Sequence, residues 1–373
     1  MAGGGASGRG VGLRWLRTSP VGSPLVLVGA SLGRWYDDPQ SALVDGRRGH
    51  SGGGAPGAGL GAFGLGRSSL SNRDRDSATL GGAGKADVRR RASSNYGWSE
   101  SMPTLISKSG NVRKMRSELA SPVRYRLPLS ESELDLNPLI GEMICLRFAG
   151  RINCVVCDRL IKKSFAQGFC FPCFQKSPEN SECIIRPVLC RGHLGDGRDS
   201  VWEAENHVQD HFVYLAVSSA VKVGVTRGDQ IPTRWIDQGA SAAMRFALTP
   251  NRYLAGCIEV AVAEQITDRT NWQRMLKNEV LDDVDLPRIR EELAMDLDEN
   301  LRAYVSSDSD VVRIHYPVQR YPQEVKSVGF DKLPEIEGCL SGIKGQYLIF
   351  DDGRVLNMRK HSGYWIEVTA GSS

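Results

Sequence analysis

Cys154-Val-Val-Cys157-Asp-Arg-Leu-Ile-Lys-Lys-Ser-Phe-Ala-Gln-Gly-Phe-Cys170-Phe-Pro-Cys173 is the stretch on which the reading of this chain turns. It holds two Cys-x-x-Cys pairs separated by twelve residues. Two thiolates on one tight turn place their sulfurs at the separation a single tetrahedral ion needs, and a second such turn closes the site with metal–sulfur distances of about 2.3 Å. Crowded thiolates repel one another unless a cation lies between them. Disulfides belong to exported chains and a redox pair normally uses one Cys-x-x-Cys, which leaves an iron–sulfur cluster as the alternative to zinc. The spacing therefore predicts structural Zn2+ on Cys154, Cys157, Cys170 and Cys173.

Immediately downstream, Cys183, Cys190, His193, His207 and His211 offer five candidates for the four places of a second ion. His207-x3-His211 suits one helical turn presenting two imidazoles, so Cys183, Cys190, His207 and His211 are the expected second set. The ordinary alternative is buried thiols beside polar histidines. Between residues 154 and 211 the chain is otherwise rich in Gly, Pro and polar residues, too little apolar material to hold itself together without a crosslink or a metal.

Working outward, residues 1–101 carry 23 of the 41 glycines and none of the nine cysteines. Burial cannot repay the entropy of ordering such a segment, so it reads as a disordered Gly/Arg-rich tail. No methionine lies between Met1 and Met102, and ordinary globular composition begins at Met102-Pro-Thr-Leu, so the translation start is expected near Met102. The tail holds 13 Lys and Arg against 7 Asp and Glu, which leaves 34 against 36 in residues 102–373. Net charge thus gives no argument for nucleic-acid binding, and any basic surface has to be local. No run reaches the 18 or so apolar residues of a membrane span, and the expectation is a bacterial-type, cytoplasmic chain.

Alternating apolar runs predict strands at 123–127 and 143–152, ahead of the cysteines. After His211 come strands at 212–217 and 220–226, a helix at 233–241, a strand at 244–248, and helices at 253–265 and 271–277. Thr270 and Gln273 have capping-box spacing for the last. Ile289, Leu293, Leu297 and Leu301 repeat at fourfold spacing along one helix over 288–304. Strands at 346–350, 354–358 and 364–368 are separated by Asp351-Asp352-Gly353 and His361-Ser362-Gly363 turns. The expected class is α+β: a tail at 1–101, N-terminal strands and zinc knuckles at 109–211, a small mixed sheet with helices at 212–305, and an antiparallel β unit at 311–368.

The blocks Lys162 to Phe174, Val213-Tyr-Leu-Ala, Val221 to Arg227, Gln230-Ile-Pro-Thr-Arg-Trp-Ile-Asp-Gln-Gly-Ala240 and Gly342 to Ile349 closely resemble the domain of unknown function 2797 family, over roughly residues 109 to 368. That resemblance implies a second cluster richer in cysteine, with Asn180, Gly197 and His207 standing where cysteine is common.

The order of elements from Phe212 onward also resembles the GIY-YIG nuclease fold. Carried over by position, the resemblance implies Tyr214 on the first strand, Lys222 and Gly224 on the second, Arg234 on the first helix and Glu259 on a later one as catalytic residues, with Mg2+ or Mn2+ held by Glu259. Such a set is chemically coherent, because phosphodiester cleavage needs a metal, a positive group and a hydroxyl. Lys222 and Phe212 depart from the usual tyrosine and glycine. The competing expectation is a non-catalytic module binding DNA or RNA, in which Lys162, Lys163, Lys344, Arg354, Arg359 and Lys360 track phosphates while Phe169, Phe171, Tyr347 and Tyr364 stack on bases. A protein-interaction scaffold is the third.

Overall fold

The computed structural model of the chain describes residues 106–266, 271–281 and 283–371; the expected tail and the start near Met102 lie outside them. The element order is β1 (Ile106–Asn111), β2 (Arg116–Glu118), β3 (Arg124–Leu129), β4 (Ser132–Asp135), β5 (Met143–Asn153), β6 (Leu160–Ile161), α1 (Phe171–Lys176) and α2 (Ser200–His207). It continues through β7 (His211–Val217), β8 (Val221–Arg227), α3 (Thr233–Asp237), β9 (Ala242–Thr249), α4 (Arg252–Ala263), α5 (Trp272–Leu276), α6 (Leu286–Met295) and α7 (Glu299–Arg302). Last come β10 (Val312–Arg313), β11 (Lys326–Val328), β12 (Glu335–Lys344), β13 (Tyr347–Phe350), β14 (Arg354–Asn357) and β15 (Tyr364–Gly371). The fold is α+β, and the run from β7 to α5 keeps the expected strand, strand, helix, strand, helix, helix order.

The C-terminal strands are antiparallel along β12, β13 and β14, and they share one eight-stranded sheet with the N-terminal ones, in the order β1-β15-β5-β12-β13-β14-β11 with β6 on β5. Ile366 and Val368 of β15 face the core beside Leu146 of β5, so the two ends of the described chain close one hydrophobic layer. The central sheet, in the order β10-β9-β7-β8, is antiparallel throughout rather than mixed. Ser218 to Ala220 is too short a connection to carry β8 back parallel to β7.

Both faces of this central sheet are buried. Val213, Leu215 and Val217 of β7 join Val223 and Val225 of β8 in a core completed by Ala255, Ile258 and Val262 of α4. Tyr214 and Ala216 point the other way, into the larger core with Trp235 and Ile236 of α3. Residues therefore alternate along β8, with Lys222, Gly224 and Thr226 on the face of Tyr214.

The single helix expected over 288–304 is two. α6 stops at Met295 and Asp298 begins α7, although Ile289, Leu293, Leu297 and Leu301 all still pack in the second core. The cap of α5 is Asn271, whose side chain accepts from the Gln273 N–H; Thr270 lies outside the described residues. At the end of α3, Asp237 is 2% exposed, pairs with Lys114, and accepts from Gln346 Nε2 at 2.9 Å. Tyr316 donates its hydroxyl to the carbonyl of Ala240 at 2.9 Å, so the central unit is tied to segments on both sides of it in the sequence.

Candidate metal centres

β5 delivers Cys154, a turn carries Cys157, and the first residues of α1 carry Cys170 and Cys173. One sulfur from each of the four lies within 4.8 Å of every other. Cys157 Sγ and Cys170 Sγ are 3.7 Å apart. Two sulfurs bound to one tetrahedral ion at about 2.3 Å are separated by roughly 3.8 Å, whereas a disulfide is about 2.05 Å, so the spacing is that of ligands. All nine cysteines are free thiols, which sets the disulfide alternative aside.

The loop is cut to this shape by backbone. Val155 N–H donates to the Gly168 carbonyl and Cys154 N–H to the Arg159 carbonyl, each at 2.9 Å, and Cys170 N–H points at Cys154 Sγ at 3.2 Å. Gly168, at φ +105°, leaves no room for a Cβ, which would lie 2.7 Å from the Ser362 carbonyl oxygen. Burial opposes a thiolate at Cys154, but N–H donors from Cys157, Cys170 and Val156 together outweigh it and bring the thiol down to about 6. Cys173, hydrogen-bonded to the sulfur of Cys170, is pushed up to about 12. Four sulfurs this close cannot all be anionic without a cation among them, and the donor set and spacing fit zinc.

The second group is Cys183, Cys190, Glu203 and His207, all buried and also within 4.8 Å of one another. Cys183 Sγ is 3.8 Å and Cys190 Sγ 3.5 Å from His207 Nδ1, while the Glu203 carboxylate contacts the same nitrogen. Cys190 donates to Cys183 and helps hold that thiol down to about 4, while the Cys190 thiol itself is pushed up. His211 is not in the group. α2 ends at His207 and the chain turns extended, so the expected helical i,i+4 pair is not formed. His211 instead opens β7, with Nδ1 2.8 Å from the Gln209 carbonyl and burial holding it down to about 4. The i,i+4 partner of His207 is Glu203, one turn earlier on α2; the sequence carried that spacing, and only the expectation of cysteine or histidine ligands hid it. Asn180 donates to the Phe174 carbonyl, and His193 stacks on Tyr253 outside the group.

Tyr214, Arg234 and Glu259 come within electrostatic reach of one another. Burial raises the Tyr214 phenol, which Arg234 pulls down and Glu259 pushes up, and Gln238 donates to its oxygen at 2.6 Å. Gly224 stands directly opposite Tyr214, and Lys222, also buried, opposite Ala216. Burial lifts Glu259 to about 7 against the pull of Arg252 and Arg234. One carboxylate under the electrostatic pull of two arginines is a poor seat for a hard divalent cation, and Tyr214 is fully buried, so the residues do not fit the expected Mg2+ or Mn2+. Arg252 is itself committed to the second group's segment, donating to the Cys183 and Ile184 carbonyls at 2.9 Å.

Several groups expected at a nucleic-acid surface are inside. Lys344 bonds Asn278 Oδ1 at 2.8 Å between the Tyr316 and Tyr321 rings, Tyr364 donates to Asp331, and Phe169 is buried. Lys162, Lys163, Lys360 and Phe171 are exposed, Arg354 is held by Asp352, and Tyr347 stacks on Trp272. No helix among the described residues is long and apolar enough to cross a membrane.

No curated protein and no solved structure matches the chain. A family model does, over residues 141–366, from the middle of the N-terminal strands through both cysteine groups to the last strand, and the chain belongs to the family described as Protein of unknown function (DUF2797).

Proposed function

We propose that this chain is a zinc-organised nucleic-acid-binding protein whose contact face is the loop closed by Cys154, Cys157, Cys170 and Cys173. The observation that carries the reading is local charge. Residues 150–176 hold five Lys and Arg against one Asp, in a chain whose residues 102–373 are close to neutral. Arg159, Lys162, Lys163 and Lys176 are all exposed, and Phe171 (51%) and Leu160 (67%) stand among them. Arg359 reaches the same loop through Gln167, which brings the 359–361 turn alongside. Basic groups spaced along a rim with an exposed ring suit an unpaired strand, whose phosphates they track while a base stacks.

The test is binding of fluorescent single-stranded RNA and DNA by the zinc-loaded protein, at salt rising from about 50 to about 200 mM. Affinity is expected to fall steeply. Lys162→Ala with Lys163→Ala should flatten the salt slope by about 1.4, at about 0.7 per phosphate contact on a single strand. Phe171→Ala should weaken binding by about 1–3 kcal/mol at every salt concentration. Affinity that ignores salt, or variants that bind as wild type does, would remove the reading.

A second reading, cleavage of phosphodiesters by the Tyr214 cluster, is favoured by one observation: residues from three separate elements meet in charge and hydrogen bonding. It requires opening of a buried hydroxyl and a cation held by Glu259 against the positive field of Arg252 and Arg234. Cleavage that depends on added Mg2+ or Mn2+ is its signature.

A further inference from the structure

Glu203 occupies space that a side chain at position 197 would otherwise take. A Cβ on Gly197 would lie 2.5 Å from Glu203 Cγ and 2.9 Å from both Cδ and Oε1. Gly197 is therefore the condition for the carboxylate to reach Cys183, Cys190 and His207. Once there, Glu203 is 2% exposed, and its Oε2 lies against the same His207 Nδ1 that both sulfurs approach. A buried carboxylate oxygen, two buried sulfurs and an imidazole nitrogen, all within 4.8 Å of one another, point to a cation among them.

Charge counting agrees. Two thiolates and a carboxylate around a divalent ion leave one excess negative charge, and the buried guanidinium of Arg252, bonded to the Cys183 and Ile184 carbonyls, supplies the matching positive one. The four donors are not equivalent. Zinc holds thiolate and imidazole well, and a monodentate carboxylate is the easiest of the three kinds to displace. A surface cavity of about 220 Å3 is lined by Cys183, Glu203, Gly197 and Arg198, and by neither Cys190 nor His207, so the group is open on the side of Glu203 and Cys183, of which the carboxylate is the weaker zinc ligand. On that wall Arg198 bonds only the Phe174 and Ser177 carbonyls, and no carboxylate among the described residues pairs with it. Arg191 is paired with Asp196.

We propose that Cys183, Cys190, Glu203 and His207 hold a second zinc ion in which Glu203 is a displaceable ligand, and that the cavity admits a small anion to the metal in its place. This is independent of the nucleic-acid reading, since the ligands lie outside the basic loop.

The experiment uses the full chain, with zinc counted by elemental analysis and with Co2+ substituted for spectroscopy. Wild type should carry a metal in each group, and azide should shift the visible bands of the Co2+ form. Glu203→Gln should surrender one metal to a chelator about tenfold faster or more, with the other unchanged. Gly197→Cys combined with Glu203→Ala places a sulfur where the carboxylate stood; it should restore slow release, add thiolate-to-cobalt charge-transfer intensity and abolish the azide response. A single metal per wild-type chain, or Glu203→Gln releasing both metals at wild-type rates, overturns the site. An azide response absent from wild type, or surviving in the double variant, overturns the displaceable ligand. Should Glu203→Gln fail to fold, the double variant decides alone: two metals support the site and one refutes it.

Discussion

The hydroxyl of Tyr214 lies over Gly224, its direct partner across the β7–β8 pair: a Cβ at 224 would sit 2.5 Å from the oxygen and 2.7 Å from Cζ. The ring is rigid, fully buried and packed against Trp235 at 6.3 Å, so it cannot step aside. Gly224→Ala is expected to destabilise the protein by about 1–3 kcal/mol, read from urea denaturation, as overpacking of a filled core does. Adding Tyr214→Phe, which removes the nearest atom, should recover part of the loss. An unchanged midpoint in Gly224→Ala would mean the ring is not held there.

Metal removal should act locally first. The four-cysteine site does not exist in the unfolded chain, so its binding free energy, about 10 kcal/mol or more in zinc-finger peptides, is folding free energy for the loop. Cys170→Ala, or strong chelation, is expected to abolish amide protection between residues 154 and 173 while the strands β12 to β15 keep theirs. Hydrogen exchange measured alongside metal content checks it. Protected amides in a metal-free sample would contradict it.

Asp237 joins three parts of the molecule through Lys114, Gln346 and the end of α3. Asp237→Ala leaves the buried Gln346 amide with the Met115 carbonyl but without one of its two acceptors, and frees a lysine that is 40% exposed. Because that lysine can return to water, the cost should be about 2 kcal/mol rather than the larger penalty of a fully buried pair. Asp237→Asn, which keeps the acceptor, should cost less. Equal losses would show that charge, not the Gln346 hydrogen bond, matters.

His361 sets an acid limit on stability. Burial holds it down to about 4, with Lys360 adding to the effect and Asp331 and the Asn357 carbonyl opposing it. Its Nδ1–H donates to the Asn357 carbonyl and its Nε2 accepts the Phe330 N–H, so protonation would break the second bond. The folded pKa is below the unfolded value, so the unfolded chain binds the proton first. Stability is full above about pH 6.5 and falls towards pH 4, by about 2–3 kcal/mol in all. His361→Gln can make both bonds without titrating, and its urea midpoint should fall less than that of wild type between pH 7 and pH 5. Parallel pH profiles would dismiss the role.

What the sequence carried follows the range of the interactions. Cys-x-x-Cys spacing and the β7–β8 alternation are local, and both are in place. Gly224 was legible as a motif position, but its reason, the Tyr214 hydroxyl overhead, needs the strand register. Glu203 shares its helical spacing with His207, yet its place depends on the gap at Gly197. Lys344 and Tyr364 looked like surface because burial on the sheet spanning both ends of the described chain is a long-range outcome that no window around them contains.

Glu259 separates a structural polar cluster from a metal-holding one. Burial lifts its carboxyl to about 7, against the pull of Arg252 and Arg234. The folded pKa is above the unfolded value, so the folded chain binds the proton more tightly. The contribution to stability is full below about pH 4.5 and is lost as pH rises through about 7. Glu259→Gln keeps the shape of the neutral acid, so it should be as stable as wild type at pH 5 and more stable at pH 8, by about 1–2 kcal/mol once partial exposure is allowed for. Added Mg2+ should change neither melting temperature, because the positive field of Arg252 and Arg234 already acts on the carboxylate. If Mg2+ instead raises the melting temperature of wild type at pH 8 and leaves Glu259→Gln unmoved, the carboxylate holds a cation after all, and cleavage by the Tyr214 cluster becomes the stronger reading.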